Sequence, residues 1–471
     1  MGRSPSSTSH SHGEPHATPA RTKERREKDE GAPRRAAPVG AVTYVPADVI
    51  EVRAWNRTVG AVTLDPTSEF YAFEYAPEWL RTGIELAPLR MPAQRGVFEF
   101  PELAERTFYR LPALLADALP DNFGNALVNA TLVSQGVRSE SITPLDRLAY
   151  AGTRSMGALE FAPPMGSQSE GSTMIQVADL VVAARSALRG EFSGDDQVQL
   201  ALAELILVGT SAGGARAKAV ISFNPGTGQI RSGQFDAPSG YEYWILKLDG
   251  VDEQGQFGPT QGYGRIEYAY SKMAYAAGID MMPCRLLEES GRAHFMTQRF
   301  DRDEVGGKVH IESLCAMDHL DFNARDTHSY AQYFDVIARL GLGRDSLEQA
   351  FRRCAFNVAA ANRDDHTKNL GFVCSASGEW ALAPAYDVNH SYNPEGLWTQ
   401  RHQMSVNAKF EHITRDDLLE LAERFNVPGA RSVLGDVDTA AGRWREFGEE
   451  CDVEQGHVAR IEGDIERFRL N

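Results

Sequence analysis

The eight residues from Asn362 to Asn369, Asn-Arg-Asp-Asp-His-Thr-Lys-Asn, constrain this chain more than any other stretch. Apolar Leu370-Gly371-Phe372-Val373 follows at once, so a polar loop has to sit against the start of a buried strand. An Asp in such a loop can orient and deprotonate an attacking hydroxyl, while an Asn a few residues on holds a magnesium ion. A second acid is then needed for the metal. Asp387, in Leu382-Ala383-Pro384-Ala385-Tyr386-Asp387-Val388 at the end of the next strand-like run, stands at a spacing that suits a hairpin bringing both together. The same residue types also serve in loops simply by bonding their own backbone, so the octet has to be weighed with other segments.

Charge and hydropathy limit the alternatives. The formal charge is -17, but the first forty residues carry eight Lys/Arg against five acids, which leaves −20 for the rest. A folded part this acidic argues against an extended nucleic-acid surface. No apolar run reaches the ~20 residues that a membrane helix needs, so a cytoplasmic protein without membrane contact is expected. Residues 1–40, rich in Ser, Pro, His and charge, are too poor in apolar residues to fold and are read as a disordered tail. Cys284, Cys315, Cys354, Cys374 and Cys451 form no CxxC pair, which indicates neither a zinc site nor a disulfide framework.

Along the chain, Ile50, Val52 and Ala54, then Val59 to Leu64, then Phe70 to Phe73 predict a small antiparallel sheet, broken at Asn56-Arg57 and Asp65-Pro66. Leu111 to Val133 has helical periodicity interrupted between Leu119 and Gly124. A Gly/Ser-rich linker from Pro163 to Ser172 closes a first domain, followed by a helix over Ile175 to Arg189 and an apolar run from Leu200 to Val208. The run Gly209-Thr210-Ser211-Ala212-Gly213-Gly214-Ala215-Arg216-Ala217-Lys218 offers bare backbone amides to phosphate, although a plain flexible hairpin would use the same glycines. It matches neither Walker A nor GxGxxG.

Tyr241 to Leu248 reads as a strand that places Lys247 among apolar neighbours. On an edge strand this lysine could point to water, but on a central strand its ammonium needs an anion. The helix expected over Gly264 to Ala277, stopped by Gly278, offers Glu267. Further strand character from His294 to Asp301 leads into a mostly helical remainder, with helices over Tyr330 to Leu340, Ser346 to Ala361, Thr414 to Phe425 and Val433 to Phe468.

Taken together, the Gly209–Ala219 run, Ile245-Leu246-Lys247-Leu248, Arg299-Phe300-Asp301-Arg302, Asp364-Asp365-His366-Thr367-Lys368-Asn369 and Pro384-Ala385-Tyr386-Asp387 resemble the HipA family of serine/threonine kinases, the toxin halves of bacterial toxin-antitoxin pairs. The resemblance runs from about Val49 to the C-terminus. It implies an α+β, two-lobed protein-kinase-like fold: a small β-rich subdomain over 41–165, a kinase amino-terminal lobe with an ATP loop over 173–300, and a helical catalytic lobe over 301–471. It implies ATP and Mg2+ as cofactors, Asp364 as catalytic base, and Asn369 and Asp387 as metal ligands. Ser211, Gly213, Gly214, Lys247, Glu267, Gln298, Phe300, His366 and Lys368 would border the nucleotide, with Ser211 falling on the family's autophosphorylated, regulatory loop serine.

The neighbouring Asp365 leaves the base ambiguous on composition alone, and the motif's spacing to His366 and Asn369 selects Asp364. Two departures stand out. The family often has Glu where Gln298 stands, and its Asp-Phe-Cys-Gln segment is here Ser313-Leu314-Cys315-Ala316. The implied substrate is a cytoplasmic protein such as an aminoacyl-tRNA synthetase. The implied partner is a helix-turn-helix antitoxin encoded nearby, since this chain shows no such motif of its own. Two other readings keep the same residues: a catalytically silent co-repressor subunit, and a small-molecule or lipid kinase of related fold.

Overall fold

The computed structural model describes residues 46–134, 136–165, 177, 180–181, 217–250, 262–303 and 306–470. The tail over 1–40, most of the linker after Pro163, nearly all of the Ile175–Arg189 segment, the Leu200–Val208 run and the glycine-rich stretch up to Arg216 lie outside these residues.

Strands β1 (Val49–Ala54), β2 (Arg57–Leu64), β3 (Tyr71–Tyr75), β4 (Val97–Phe98) and β5 (Leu159–Ala162) form an antiparallel sheet in the order β4-β3-β2-β1-β5. Ile50, Val52 and Ala54 alternate into its core, as their period of two requires. The β1–β2 turn falls on Trp55-Asn56 rather than Asn56-Arg57, because Ala54 pairs with Arg57 and both turn residues take left-handed φ (50° and 60°). That backbone matches the twist of a two-residue hairpin. The interrupted helical region becomes helices Ala113–Asp117 and Asn122–Ser134. Asp121 begins the second, its Oδ1 accepting from Gly124 N at 2.7 Å.

A second antiparallel sheet, in the order β7-β6-β8-β10-β9, is built from β6 (Lys218–Phe223), β7 (Ile230–Ser232), β8 (Glu242–Lys247), β9 (Cys284–Glu289) and β10 (Arg292–Gln298). Strand β8 is central, so Lys247 cannot take the edge-strand escape to water. Helix Tyr263–Ala276 packs on β10 so closely that a side chain at Gly264 would meet the Ala293 carbonyl, and Gly278 (φ 77°) ends it. Glu267, one turn on from Gly264, is thereby held over the sheet.

The remaining strands are β11 (His310–Ser313), β12 (His328–Ser329), β13 (Gly371–Cys374), β14 (Trp380–Leu382) and β15 (Met404–Ser405). The hairpin β13–β14 pairs with β11, and β12 with β15. Around them lies a helical core of Tyr330–Arg339, Gly343–Ala359, Arg415–Arg424 and three C-terminal helices. Those three correct the expectation of helix from Val433 to Phe468: the chain turns after Ala441 and again after Glu450, giving Ala430–Ala441, Trp444–Glu450 and Gln455–Phe468. The folding back buries Trp444, whose Nε1 donates to Val458 O at 3.1 Å.

Buried polar contacts tie the first sheet to the rest. Asp301, wholly buried, accepts from Arg299 Nε (2.7 Å) and Nη2 (2.6 Å), Arg302 Nη1 (2.8 Å) and the backbone N of Gly157 (2.9 Å). Asp117 accepts from Ser313 N at 2.7 Å and Oγ at 2.8 Å. Burial pushes the Asp301 carboxyl up, but Arg299 and Arg302 override it and hold it at about 2, below its ordinary 3.8. A pKa depressed on folding stabilises the protein above about pH 4, and that contribution, about 2 kcal/mol, is lost as pH falls towards 2. Asp301→Asn strands two buried guanidinium groups and is expected to cost about 3–5 kcal/mol at pH 7 in urea unfolding. The gap to the parent narrows as pH falls from 4 to 2. Equal stability at pH 7 would remove Asp301 as the fastening of this junction.

Candidate active site

The helix Gly343–Ala359 delivers the chain to the polar octet through Ala361, which takes a left-handed φ of 53°. Ser391 then fixes the octet's backbone, its Oγ accepting from Arg363 N (2.6 Å) and Asp364 N (2.8 Å) and donating to Asn362 Oδ1 (3.1 Å). The Arg363 guanidinium lies over the rings of Tyr392 (4.6 Å) and Phe468 (4.2 Å). Asn369 closes the loop by donating Nδ2 to Asp364 O at 2.7 Å, which leaves its Oδ1 as the free acceptor of the amide.

The two adjacent acids part company here. Asp365 is buried, with Oδ2 accepting from Tyr330 OH (2.8 Å) and His402 Nδ1 (2.9 Å) and Oδ1 from Gln403 N (2.8 Å). Burial opposes its ionisation, but His402 and these donors win and hold its carboxyl below the ordinary carboxylate range. The Asp364 side chain is 48% exposed, with one oxygen accepting from Gln403 Nε2 at 2.9 Å and lying 3.7 Å from His366 Nε2. Asp365 therefore has no oxygen to spare for a substrate, whereas Asp364 does.

Asp387 follows the β13–β14 hairpin and takes a left-handed φ of 52°, a conformation that Asp tolerates better than most residues. One of its oxygens accepts from Lys247 Nζ, and the same ammonium donates to the buried Glu267 carboxylate. Burial pulls the Lys247 pKa down, but Asp387 and Glu267 more than offset it and leave it raised. Asp387 is correspondingly held at about 2: burial pushes it up, and the positive charges of Lys247 and Lys218 override that. Lys218 stands beside Lys247 on the adjacent strand and lies 3.4 Å from Asp121, whose carboxyl burial lifts to about 6 despite that lysine.

Asp364, Asn369 and Asp387 line one cavity of about 20 Å3, room for a water molecule or an ion. Among the described residues, no cluster of three His, Cys, Asp or Glu could hold a metal. One carboxylate plus one amide oxygen nonetheless fits magnesium, which keeps several waters and takes its other ligands from substrate phosphates.

The other expected residues are placed more loosely. Phe300 stacks on Tyr386 (5.6 Å between ring centres), joining the exit of β10 to the Asp387 segment. Gln298 closes β10 opposite Trp244. His366 packs against Phe322, with Nδ1 buried and lacking a hydrogen-bond partner. Lys368 lies 3.8 Å from Asp117, which ends the helix Ala113–Asp117. Ser211, Gly213 and Gly214 lie outside the described residues. Sequence reasoning passed over Ser391, His402 and Gln403, which carry no motif signal, and gave Lys218 no role although it ends the glycine-rich run.

Residues 210–445 match the family model described as HipA-like C-terminal domain, and residues 50–162 match the HipA N-terminal domain. The fold is of the mixed α+β, HipA-like class, and the chain belongs to the HipA family. No curated protein matches it. Among solved structures it is similar to a chain of the Shewanella oneidensis MR-1 toxin-antitoxin complex of HipA, HipB and operator DNA. That match has 16% identity and a TM-score of 0.60, covering 89% of this chain and 96% of that one. A more distant likeness is to the Helicobacter pylori proinflammatory kinase CtkA, at 12% identity and a TM-score of 0.30, covering 48% of this chain and 91% of that one.

The contrast between the two acids is measurable by urea unfolding. Asp365→Ala leaves His402, Tyr330 and Gln403 N without their acceptor and is expected to cost about 3 kcal/mol. Asp364→Ala, half exposed, is expected to cost under about 1 kcal/mol. The reverse order would contradict this division.

Proposed function

We propose that this chain is an ATP- and magnesium-dependent protein serine/threonine kinase. The observation that carries the reading is the buried ammonium of Lys247 held between Glu267 and Asp387, with Asp387, Asn369 and Asp364 bordering one cavity. A strand lysine fixed by a helix glutamate is suited to ATP phosphates. Asp387 and the Asn369 amide oxygen would hold magnesium, whose charge would neutralise the phosphate oxygens. Asp364, with one carboxylate oxygen free, would orient the acceptor hydroxyl and take its proton. Phe300, Gln298 and His366 are assigned to the nucleotide's surroundings, with Lys368 at their border, and residues 173–300 and 301–471 to the two kinase lobes behind the 41–165 subdomain.

Asp364→Ala is expected to lower phosphate transfer about 10²–10⁴-fold with nucleotide affinity nearly unchanged, while Asp387→Ala weakens Mg-ATP binding. Steady-state transfer of label from γ-labelled ATP, alongside nucleotide titration, checks both. Transfer by Asp364→Ala at the parent's rate would remove the base assignment.

Ser211 is proposed as a regulatory autophosphorylation site. A phosphate there adds about −1.5 to −2 charge where ATP phosphates are to be received, and so opposes nucleotide binding. Mass spectrometry after incubation with Mg-ATP is expected to find phosphate on Ser211. Transfer that depends on Asp364 but leaves Ser211 bare would overturn this.

The Shewanella HipA was solved with HipB and operator DNA, and a comparable antitoxin is proposed as this chain's partner in the cytoplasm. No helix among the described residues is long and apolar enough to cross a membrane. The neighbouring antitoxin gene product, co-expressed, is expected to elute with the chain on size exclusion. Separate elution at micromolar concentration would count against a stable pair.

A further inference from the structure

We propose that Gln403 is a positioning residue for Asp364, held in its working place by the buried Asp365–His402 pair. This rests on the kinase reading above and assigns a part of its site that no motif marks. A base on a half-exposed side chain has rotamers to choose among, and only one points a free oxygen at the acceptor. A donor on the other oxygen makes that choice. Gln403 Nε2 supplies it at 2.9 Å, whereas His366 Nε2, at 3.7 Å, is too far for a hydrogen bond.

The amide is itself anchored. The backbone N of Gln403 donates to Asp365 Oδ1 at 2.8 Å, so one residue grips both adjacent carboxylates, one through its main chain and one through its side chain. His402, just before it, donates Nδ1 to Asp365 Oδ2, and β15 just after it pairs with β12. Behind Asp365 the hydrogen bonds run from Tyr330 OH to Asn357 and Asn362, at the entry to the octet. The buried acid thus connects the loop carrying Asp364 to the segment leading on from Asp387, and Gln403 is the point where that connection reaches the base.

The test is turnover, KM for ATP and thermal melting of the full chain at pH 8, reading γ-phosphate release from Mg-ATP and label incorporated into the chain itself. Gln403→Ala is expected to lower kcat roughly tenfold with KM for ATP changed by less than about twofold, since only the base is misplaced. Gln403→Glu keeps the shape but sets a like charge against Asp364, so it falls below the Ala variant. Gln403→Lys keeps a donor and rises above it. A packing role would instead leave the Glu variant near the parent and the Ala variant lowest, and that order overturns the proposal. Asp364→Ala is measured alongside. If parent and Asp364→Ala release phosphate equally, the kinase reading falls and this inference with it. If release depends on Asp364 while the Gln403 variants match the parent, the inference alone is overturned.

Discussion

A lysine on a central strand cannot keep its ammonium in water, and the rest of this site follows from where its compensating charges come from. Removing an ammonium from water costs several kcal/mol even after relaxation, so Lys247 needs anions beside it. One, Glu267, comes from a helix that approaches the sheet closely because Gly264 has no side chain. The other, Asp387, arrives at the end of a hairpin built in the helical half of the chain. Three elements distant in sequence are therefore brought to one point by one charge. The metal-ligand candidates and Asp364 lie beside that point because the hairpin carrying Asp387 starts where the octet ends.

Two neighbouring aspartates show how environment divides labour between identical side chains. Asp365 is saturated by three donors and locks the loop, while Asp364, one residue earlier, keeps an oxygen free. The same logic operates at Asp301, where a buried carboxylate ties Gly157 to the exit of β10 by receiving two guanidinium groups and a backbone amide.

Much of this was legible in the sequence because it rests on local pattern. Alternation at Ile50, Val52 and Ala54 gives a strand, the apolar surroundings of Lys247 call for an anion once its strand is central, and the helix expected over Gly264 to Ala277 carries Glu267. What the sequence hides are contacts between residues far apart that no periodicity marks. Gln403 lies 39 positions from Asp364, Asp301 lies 144 from Gly157, and Lys218 of β6 finds Asp121 at the start of the helix Asn122–Ser134. Helix breaks decided by packing are hidden too: Val433 to Phe468 reads as one helical stretch, yet burial of Trp444 against the final helix makes it three.

On the proposed reading, the Lys247–Glu267–Asp387 junction receives the phosphates and metal of Mg-ATP. Calorimetric titration of ATP into the chain, with magnesium and then with chelator, addresses it most directly. Saturable binding that needs magnesium and is lost in Lys247→Ala is expected, because the lysine and Asp387 exchange their mutual pairing for the nucleotide's phosphates and its metal. Absence of binding up to millimolar ATP, or binding indifferent to both magnesium and Lys247, would contradict it.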